Sequence, residues 1–345
     1  MNTIQYYFYR IFPQRHWSRF VRSFSKFIRD FLEILLILFA VFLVISTILY
    51  LEDTLKQNTT WGNVFIKSLE QSRILGTFES ISIVTALVIY MRQGKKKSHY
   101  EAWQVIDSAQ GIKISHARIK ALEELSKDGV SLKGLSLPMA DLEQVTLVDT
   151  DFKEANLKTA KLQEANLKGS TFELTQLQGA NLWKANLRDC FFLLTQLQKA
   201  NLSGANLQDA ELQGVNLLEA NLQRANLQRA YILGNLQGAN FQDANLKGAI
   251  LQGAYLQDAN FQRANLRGAN LKEADLKGVN FEGANLQGTN FQNATGLTAE
   301  QIRVAINWKQ ARYSKPFLGN LGLSCEQSPE HCEGEVEPHS SGDCS

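Results

Sequence analysis

The longest uniform stretch of the sequence, residues 132–293, has few of the residues that enzymes commonly use for catalysis. This stretch contains no histidine and one cysteine, Cys190, and its acidic residues are scattered. It has neither a phosphate-binding glycine loop nor the ligand spacing of a zinc site. The sequence therefore predicts a protein that is not an enzyme and that needs no cofactor, metal or small-molecule substrate.

Net charge is also small, because the 345 residues carry a formal charge of only +2. Such a total gives no reason to expect a nucleic-acid partner. The ends nevertheless differ in sign: residues 1–30 are basic, whereas residues 314–345 are acidic and hold Cys325, Cys332 and Cys344. These cysteines, with His331 and His339, match no zinc spacing, so the sequence favours a disordered tail and leaves metal binding as an open alternative.

Two apolar segments precede the uniform stretch. Residues 31–51 carry one charge, Glu33, and are long enough to cross a bilayer as a helix, whereas the apolar core of a signal peptide is shorter. Residues 74–91, with Glu79, are predicted to form a second span. Basic flanks outside both spans place both termini in the cytoplasm and residues 52–73 outside. Both glutamates lie near span ends, which favours interfacial carboxylates over ion-pathway groups.

A five-residue rhythm dominates the chain after residue 130, as in ANLKT, ANLKG and ANLWK. Each unit has a small residue, Asn or Asp, a central Leu or Phe, and two mostly polar residues. Five matches neither a helix nor a strand period, which indicates a repeat architecture. Phe152, Phe172 and Phe192 recur every twenty residues, so four units complete one coil of a four-sided tube. The central residue and the residue two before it are predicted to point inward, which makes Cys190 a buried small residue.

This pattern resembles the A(D/N)LXX pentapeptide-repeat family, and the resemblance implies an all-β, right-handed quadrilateral β-helix of about eight coils. The connector SHYEAWQVIDSAQG resembles those of membrane-anchored members common in cyanobacteria. That likeness implies an integral membrane protein, in the plasma or thylakoid membrane, with its repeats in the cytoplasm.

Both ends of such a tube need caps. Two short helices in the connector, with Ile119, Leu122 and Leu125, are predicted to cover the first end. Thr298 and Gln301 predict a capping box that opens a helix over the second end. The predicted segments are a basic segment (1–30), a first span (31–51), an external loop (52–73), a second span (74–91), a helical connector and cap (92–130), the β-helix (131–296), a cap helix (297–313) and an acidic tail (314–345).

The rhythm loses one residue at YILGN, residues 231–235, where Ile232 is followed by Leu236. Gly234 falls in a small position and one corner is short by a residue. Glycine suits such a corner because it reaches backbone conformations closed to other residues. The sequence predicts an irregular corner or kink there, and it moves the later phenylalanines to the opposite side of the tube.

Outward positions are polar except for one cluster, which we call the apolar patch. Its members are Leu174, Phe191, Leu193, Leu194, Leu218 and Leu233, and Trp183 lies one side further round. A clustered apolar surface indicates either a protein-binding face or a face covered by the chain's own connector or tail. The resulting hypothesis is a membrane-anchored cytoplasmic scaffold, whose partners are the lipid bilayer and an unidentified protein. The alternative is an accessory component of a transport or export assembly.

A third hypothesis, mimicry of DNA toward topoisomerases, comes from a subgroup of the family that this chain resembles. Residues 132–293 hold 15 Lys and Arg against 16 Asp and Glu. A duplex carries dense negative charge that such a balanced surface does not imitate. The sequence therefore disfavours this role.

Overall fold

A computed structural model of the chain describes residue 39 and residues 73–323. The chain divides into two compact units, Met1–Ser98 and His99–Ser345. The predicted segments 1–30 and 31–51, the loop 52–73 and the end of the tail, 324–345, lie outside the described residues, apart from residues 39 and 73. Residues 74–91, the predicted second span, lie within helix α1 (Arg73–Ser108). In the part of the chain that the structure describes, no helix combines the length and apolarity needed to cross a membrane.

The repeats form a four-sided β-helix of eight coils, residues 130–288, in which each coil pairs in parallel with the next. Bridge partners are twenty residues apart, as in Asn156 with Gln176, and the backbone N–H of Leu157 donates to the carbonyl of Gln176 at 2.8 Å. We number the faces by their bridging residues in coil 2: Asp151 on face 1, Asn156 on face 2, Lys161 on face 3 and Asn166 on face 4. Faces 1 and 3 are opposite, as are faces 2 and 4.

The corners explain why Asn and Asp precede the central residue. The Asn221 carboxamide oxygen accepts the backbone N–H of Gln223, two residues on, at 3.1 Å, and the same turn recurs around the tube. The last residue of each unit then adopts a left-handed conformation, as Arg224 does at φ 57°. Asparagine favours such local turns, so this position selects it.

Inward positions follow the sequence prediction. Central leucines and phenylalanines and the small residues between them are buried. Phe152, Phe172 and Phe192 stack on face 1 with ring centroids 5.1 and 4.9 Å apart. After the missing residue the stack moves to face 3, where the centroids of Phe241 and Phe261 are 4.7 Å apart. Polar small residues are satisfied inside: Thr175 Oγ1 donates to the Phe152 carbonyl at 2.7 Å and Cys190 Sγ to the Leu167 carbonyl at 3.0 Å.

The missing residue produces an irregular corner between β1 (Glu211–Asn216) and β2 (Tyr231–Asn235). Gln213 pairs with Leu233 and Val215 with Gly234, so no residue lies opposite Gly214. Gly234 has φ +152°, and a Cβ there would lie 2.1 Å from the Val215 carbonyl oxygen. Glycine is therefore required here, as predicted, because the backbone of the preceding coil leaves no room for a side chain. Bridges on all four faces continue past the corner.

The N-terminal end of the tube is covered by α2 (His116–Lys127), whose Leu122 and Leu125 are buried as predicted. The first predicted connector helix is the last part of the continuous α1. Arg118 is buried, which the sequence pattern does not predict. Its guanidinium donates to the carbonyls of Ala109, Ile112 and Lys113 at 2.8 to 3.0 Å, which fixes the loop between the helices.

The C-terminal cap differs from the single helix predicted over residues 297–313. The capping box of Thr298 and Gln301 forms, but α3 (Ala299–Arg303) is short and a 3-10 helix (Trp308–Gln310) follows. Carbonyl groups of the residues that follow α3 accept backbone N–H groups of coil 8, as the Val304 carbonyl accepts the N–H of Gly283 at 3.0 Å. Ile306 lies in an extended segment whose backbone pairs with Asn285, and its side chain is exposed. The open edge of the last coil thus determines the path of the chain.

The first residues of the predicted tail also belong to the cap. Helix α4 (Lys315–Leu321) buries Leu318 and Leu321, and Phe317 packs on Tyr313 with ring centroids 5.6 Å apart. Tyr313 stacks in turn on Phe291 at 5.7 Å. The expectation of disorder from residue 314 is therefore wrong for residues 315–321, since these apolar side chains close the core.

Candidate functional site

The apolar patch lies mostly on one face. Leu174 belongs to coil 3, Phe191, Leu193 and Leu194 to coil 4, and Leu233 to coil 6, all on face 1, while Leu218 lies on face 2 in coil 5. Trp183 lies on face 3, opposite face 1, where Lys184 Nζ sits 4.2 Å from the ring centroid. Five of the six predicted residues therefore share one side of the tube.

Two leucines of the patch are exposed and the other four residues are half-buried. Leu174 keeps 43% and Leu194 48% of its surface. A Cβ built on Gly214 would lie 2.7 Å from Leu194 Cδ2, so the leucine lies across the glycine of the next coil. The corner of coil 5 therefore presents the Leu194 side chain to solvent in place of a side chain of its own.

Face 1 carries two further apolar residues that the sequence analysis misses, Tyr231 and Ile250. Both occupy bridging positions, Tyr231 paired with Ile250, and Ile250 is 40% exposed. Counting twenty residues back from Ile250 reaches Ala230, an inward position. Counting nineteen across the short coil reaches Tyr231, and that step would have found them.

Glu211 interrupts the patch between Phe191 and Tyr231, its bridge partners on either side. Its Oε2 atom is buried and has no hydrogen-bond partner among the described residues. A buried carboxylate oxygen without a donor is costly, since it loses water without replacement. Glu211 therefore interrupts the apolar residues of face 1 with a carboxyl group, one oxygen of which lies below the surface.

Several charged residues elsewhere on the tube are paired between neighbouring coils. Arg263 Nε lies 2.7 Å from Asp243 Oδ1, and the hydrogen bond and charge of Arg263 hold the pKa of Asp243 below its ordinary value. Lys153 Nζ lies 2.6 Å from Glu173 Oε1, a hydrogen bond that raises the pKa of Lys153. This interleaved surface presents alternating charge and not the uniform negative field of a nucleic acid.

Cys190 and the His, Asp and Glu side chains are the groups that could act as a nucleophile or hold a metal ion. Cys190 is buried with its thiol donating to a carbonyl, so it is not placed as a nucleophile. Within residues 73–323 no group of His, Cys, Asp and Glu side chains is arranged to hold a metal ion. The cysteines of residues 324–345 lie outside the described residues.

Solved structures similar to this chain are pentapeptide-repeat proteins. HetL, from the cyanobacterium Nostoc sp. strain PCC 7120 and involved in heterocyst differentiation regulation, is 27% identical over 52% of this chain and 86% of its own, with a TM-score of 0.45. QnrB1, a plasmid-mediated fluoroquinolone resistance protein, is 18% identical over 55% of this chain and 97% of its own, with a TM-score of 0.42. Rfr23 from the cyanobacterium Cyanothece 51142 is 26% identical over 44% and 83%, with a TM-score of 0.12.

No curated protein matches the chain. With TM-scores below 0.5, the likenesses to solved structures add nothing to what the repeats themselves establish. The family model for pentapeptide repeats matches the chain over the overlapping ranges 128–163, 140–173, 155–192, 175–214, 200–232, 235–272 and 264–295. The gap between two of these matches falls at residues 233 and 234, where the coil is short. Residues 128–295 therefore belong to the pentapeptide-repeat family, and with it to the right-handed quadrilateral β-helix fold.

Proposed function

We propose that this chain is a non-enzymatic scaffold that binds another protein through face 1 of its β-helix. The observation that carries the proposal is the exposure of Leu174 and Leu194 on a tube whose other outward positions are mostly polar. Contiguous exposed apolar surface of this kind marks protein-binding sites. A rigid solenoid suits the role, since its surface is preorganised and loses little freedom on binding.

The chemistry of face 1 restricts the partner. Phe191 and Tyr231 are the bridge partners of Glu211, whose Oε2 atom is buried and lacks a donor within the described residues. The fitting partner presents apolar side chains around one hydrogen-bond donor, such as an arginine, a lysine or a backbone N–H. Burial beside such a donor would complete the bonding of Glu211 and strengthen the contact.

We further propose that residues 31–51 anchor the scaffold in a membrane. Support comes from the sequence alone, since this segment carries one charge in 21 residues and is long enough to cross a bilayer as a helix. Extraction of membranes with alkaline carbonate tests this. The full chain should stay with the membrane pellet, and release into the supernatant would refute the anchor.

Photo-crosslinking in native membranes tests the binding face. A photoreactive residue replacing Leu194 should capture a protein that the same residue replacing Trp183, on the opposite face, does not. The captured protein, once purified, should bind the intact chain. Its affinity for the double variant that combines Leu194→Ser and Leu233→Ser should be at least about tenfold lower. The matched control Trp183→Ser should bind normally.

Three results would refute the scaffold: equal capture from both faces, unchanged affinity of the double variant, or loss of its fold. Capture that requires only residues 1–92 would favour the transport alternative. Glu211→Gln supplies a separate test of the partner's chemistry, because it keeps the shape while removing the charge. It should weaken binding if the partner donates a cationic hydrogen bond.

A further inference from the structure

Stacked charges on the tube have opposite sign more often than like sign. Where two charged side chains occupy equivalent positions in adjacent coils, the structure commonly brings a base over an acid. The pairs are Lys153 with Glu173 at 2.6 Å, Arg263 with Asp243 at 2.7 Å, Arg229 with Asp209 at 2.7 Å, Lys161 with Asp141 at 3.0 Å and Lys199 with Glu219 at 3.5 Å. Adjacent coils are only about 4.8 Å apart, so opposite charges attract and like charges repel at this spacing.

On face 4 two stacks of cations have like charge, Lys168 with Arg188 and Lys247 with Arg267. Arg188 is paired with Asp189 and Asp209. Lys247 and Arg267 occupy equivalent positions in coils 6 and 7, and both are exposed. Neither forms an ion pair with any of the described residues. Asp243, four residues before Lys247, is already held by Arg263 through two hydrogen bonds. Two like charges one coil apart destabilise the tube unless an anion lies over them.

The equivalent positions of face 4 in the other coils also provide no anion for these cations. The column contains no acidic residue in any coil; its members are Val148, Lys168, Arg188, Gln208, Gln228, Lys247, Arg267 and Gln287. Gly248 and Gly268 follow the two cations, so the adjoining corner carries no side chains. Coils 6 and 7 therefore present a flat, cationic strip on face 4.

The described chain ends beside this strip. Ile306 extends the bridging column of face 4 by pairing with Asn285, and Val304 accepts the N–H of Gly283 at the corner between faces 3 and 4. Arg303, next to Val304, donates from Nη2 to the carbonyl of Asn320 at 3.3 Å. Residue 320 is thus tied to this corner, three residues before the last described residue.

The segment that follows, residues 324–345, has the complementary charge. It contains Glu326, Glu330, Glu333, Glu335, Glu337 and Asp343, and no lysine or arginine. We call it the acidic segment. At about 4.8 Å per coil, Arg267 and Lys247 lie about 10 and 14 Å from the coil of Ile306. Extended chain spans about 3.3 Å per residue, so Glu326 and Glu330 reach about 10 and 23 Å beyond Leu323.

We propose that the acidic segment docks on face 4 of its own chain and pairs its first glutamates with Arg267 and Lys247. The segment runs back along the tube, toward the earlier coils, and neutralises the stacked cations. This contact lies on a different face from the apolar patch, and it does not rest on the proposed scaffold function. It is an ionic contact at a solvated surface, so it weakens as salt is added.

Carbodiimide crosslinking of the full chain tests the contact, because the reagent joins an amine to a carboxylate only when they touch. Lys277 is the matched control. It is exposed in coil 8 at the equivalent position of face 2, opposite face 4, and is closer to the cap than Lys247. Peptides joining Lys247 to residues 324–345 should exceed those joining Lys277 at least about fivefold at low salt. The excess should vanish at 1 M salt, where the screening length is about 3 Å.

Two variants and a mixing experiment complete the test. Arg267→Glu, an exposed change that should leave the circular dichroism spectrum intact, should reduce crosslinking at Lys247 at least about threefold, whereas Lys277→Glu should not. Mixing isotope-labelled and unlabelled chains should yield crosslinks only within a chain.

Equal reaction at Lys247 and Lys277, or crosslinks between labelled and unlabelled chains, would overturn the proposal. Vesicles containing phosphatidylglycerol give a further arm. If such vesicles protect Lys247 from the reagent while removal of residues 324–345 does not alter its reactivity, an anionic lipid and not the acidic segment occupies face 4.

Discussion

Replacement of Gly234 by alanine should destabilise the β-helix more than the same replacement of a glycine that ends a repeat unit, such as Gly268. A Cβ at residue 234 would lie 2.1 Å from the Val215 carbonyl oxygen and 2.8 Å from its nitrogen. Both are backbone atoms of the preceding coil, so no side-chain rotation relieves the overlap. The φ of +152° is also nearly restricted to glycine, which adds about 1–3 kcal/mol of strain.

The overlap forces the pairing of β1 and β2 to separate locally. Gly234 also accepts the N–H of Tyr255 at 3.1 Å, so a shift loosens the contact with coil 7 as well. Strain and displaced backbone together should lower the free energy of unfolding by about 3–5 kcal/mol. Gly268→Ala is the control, since a Cβ there meets nothing within 4 Å at φ +65°. Its cost should be about 1 kcal/mol, the penalty of the left-handed region.

Urea unfolding of the full chain, followed by far-ultraviolet circular dichroism, measures both variants. The reasoning fails if Gly234→Ala is no less stable than Gly268→Ala. A second experiment inserts one residue after Leu233, which restores the five-residue unit. If this insertion unfolds the chain while Gly234→Ala leaves it stable, the missing residue is not what requires glycine at position 234, and the reasoning also fails.

Three other outcomes can be checked in the same unfolding assay. Phe192→Ala, inside the aromatic stack, should cost about 3–5 kcal/mol, whereas Phe191→Ala, its outward neighbour, should cost less than half as much. Cys190→Ser should stay within about 1 kcal/mol of the parent, because serine can make the same bond to the Leu167 carbonyl. Asp243 has a lowered pKa in the folded chain, so its contribution is present above its ordinary pKa of 3.8 and disappears as pH falls through the folded value. The stability gap between parent and Asp243→Asn should therefore close on acidification from pH 6, and a gap independent of pH would contradict this.

The inward half of the structure could be predicted because it repeats. The rhythm of five identifies the central and small positions, and a step of twenty identifies the faces. Both follow from the need to bury one large and one small side chain per unit. Gly234 is predictable for the same reason, since a unit of four residues must close a corner built for five.

The caps were less predictable because they do not repeat. Thr298 and Gln301 announce the start of α3, but its end is determined by carbonyl groups that coil 8 requires from residues 304–312. Local helix patterns do not contain that requirement. Ser314, Pro316 and Gly322 are start and stop signals of α4 that the acidic composition of the following segment obscures.

Unusual residues at outward positions indicate interactions, because the stability of the fold depends little on which residues occupy these positions. A buried leucine or phenylalanine contributes several kcal/mol, whereas an exposed residue seldom changes stability by more than about 0.5 kcal/mol. The fold itself therefore does not require an outward Leu194 or two stacked cations at Lys247 and Arg267. Leu194 departs from the polarity of most outward positions, and Lys247 and Arg267 form a like-charged stack in which neither cation has an ion pair among the described residues. Interaction with something beyond the tube is the explanation that both departures share, and their placement on different faces indicates two separate contacts.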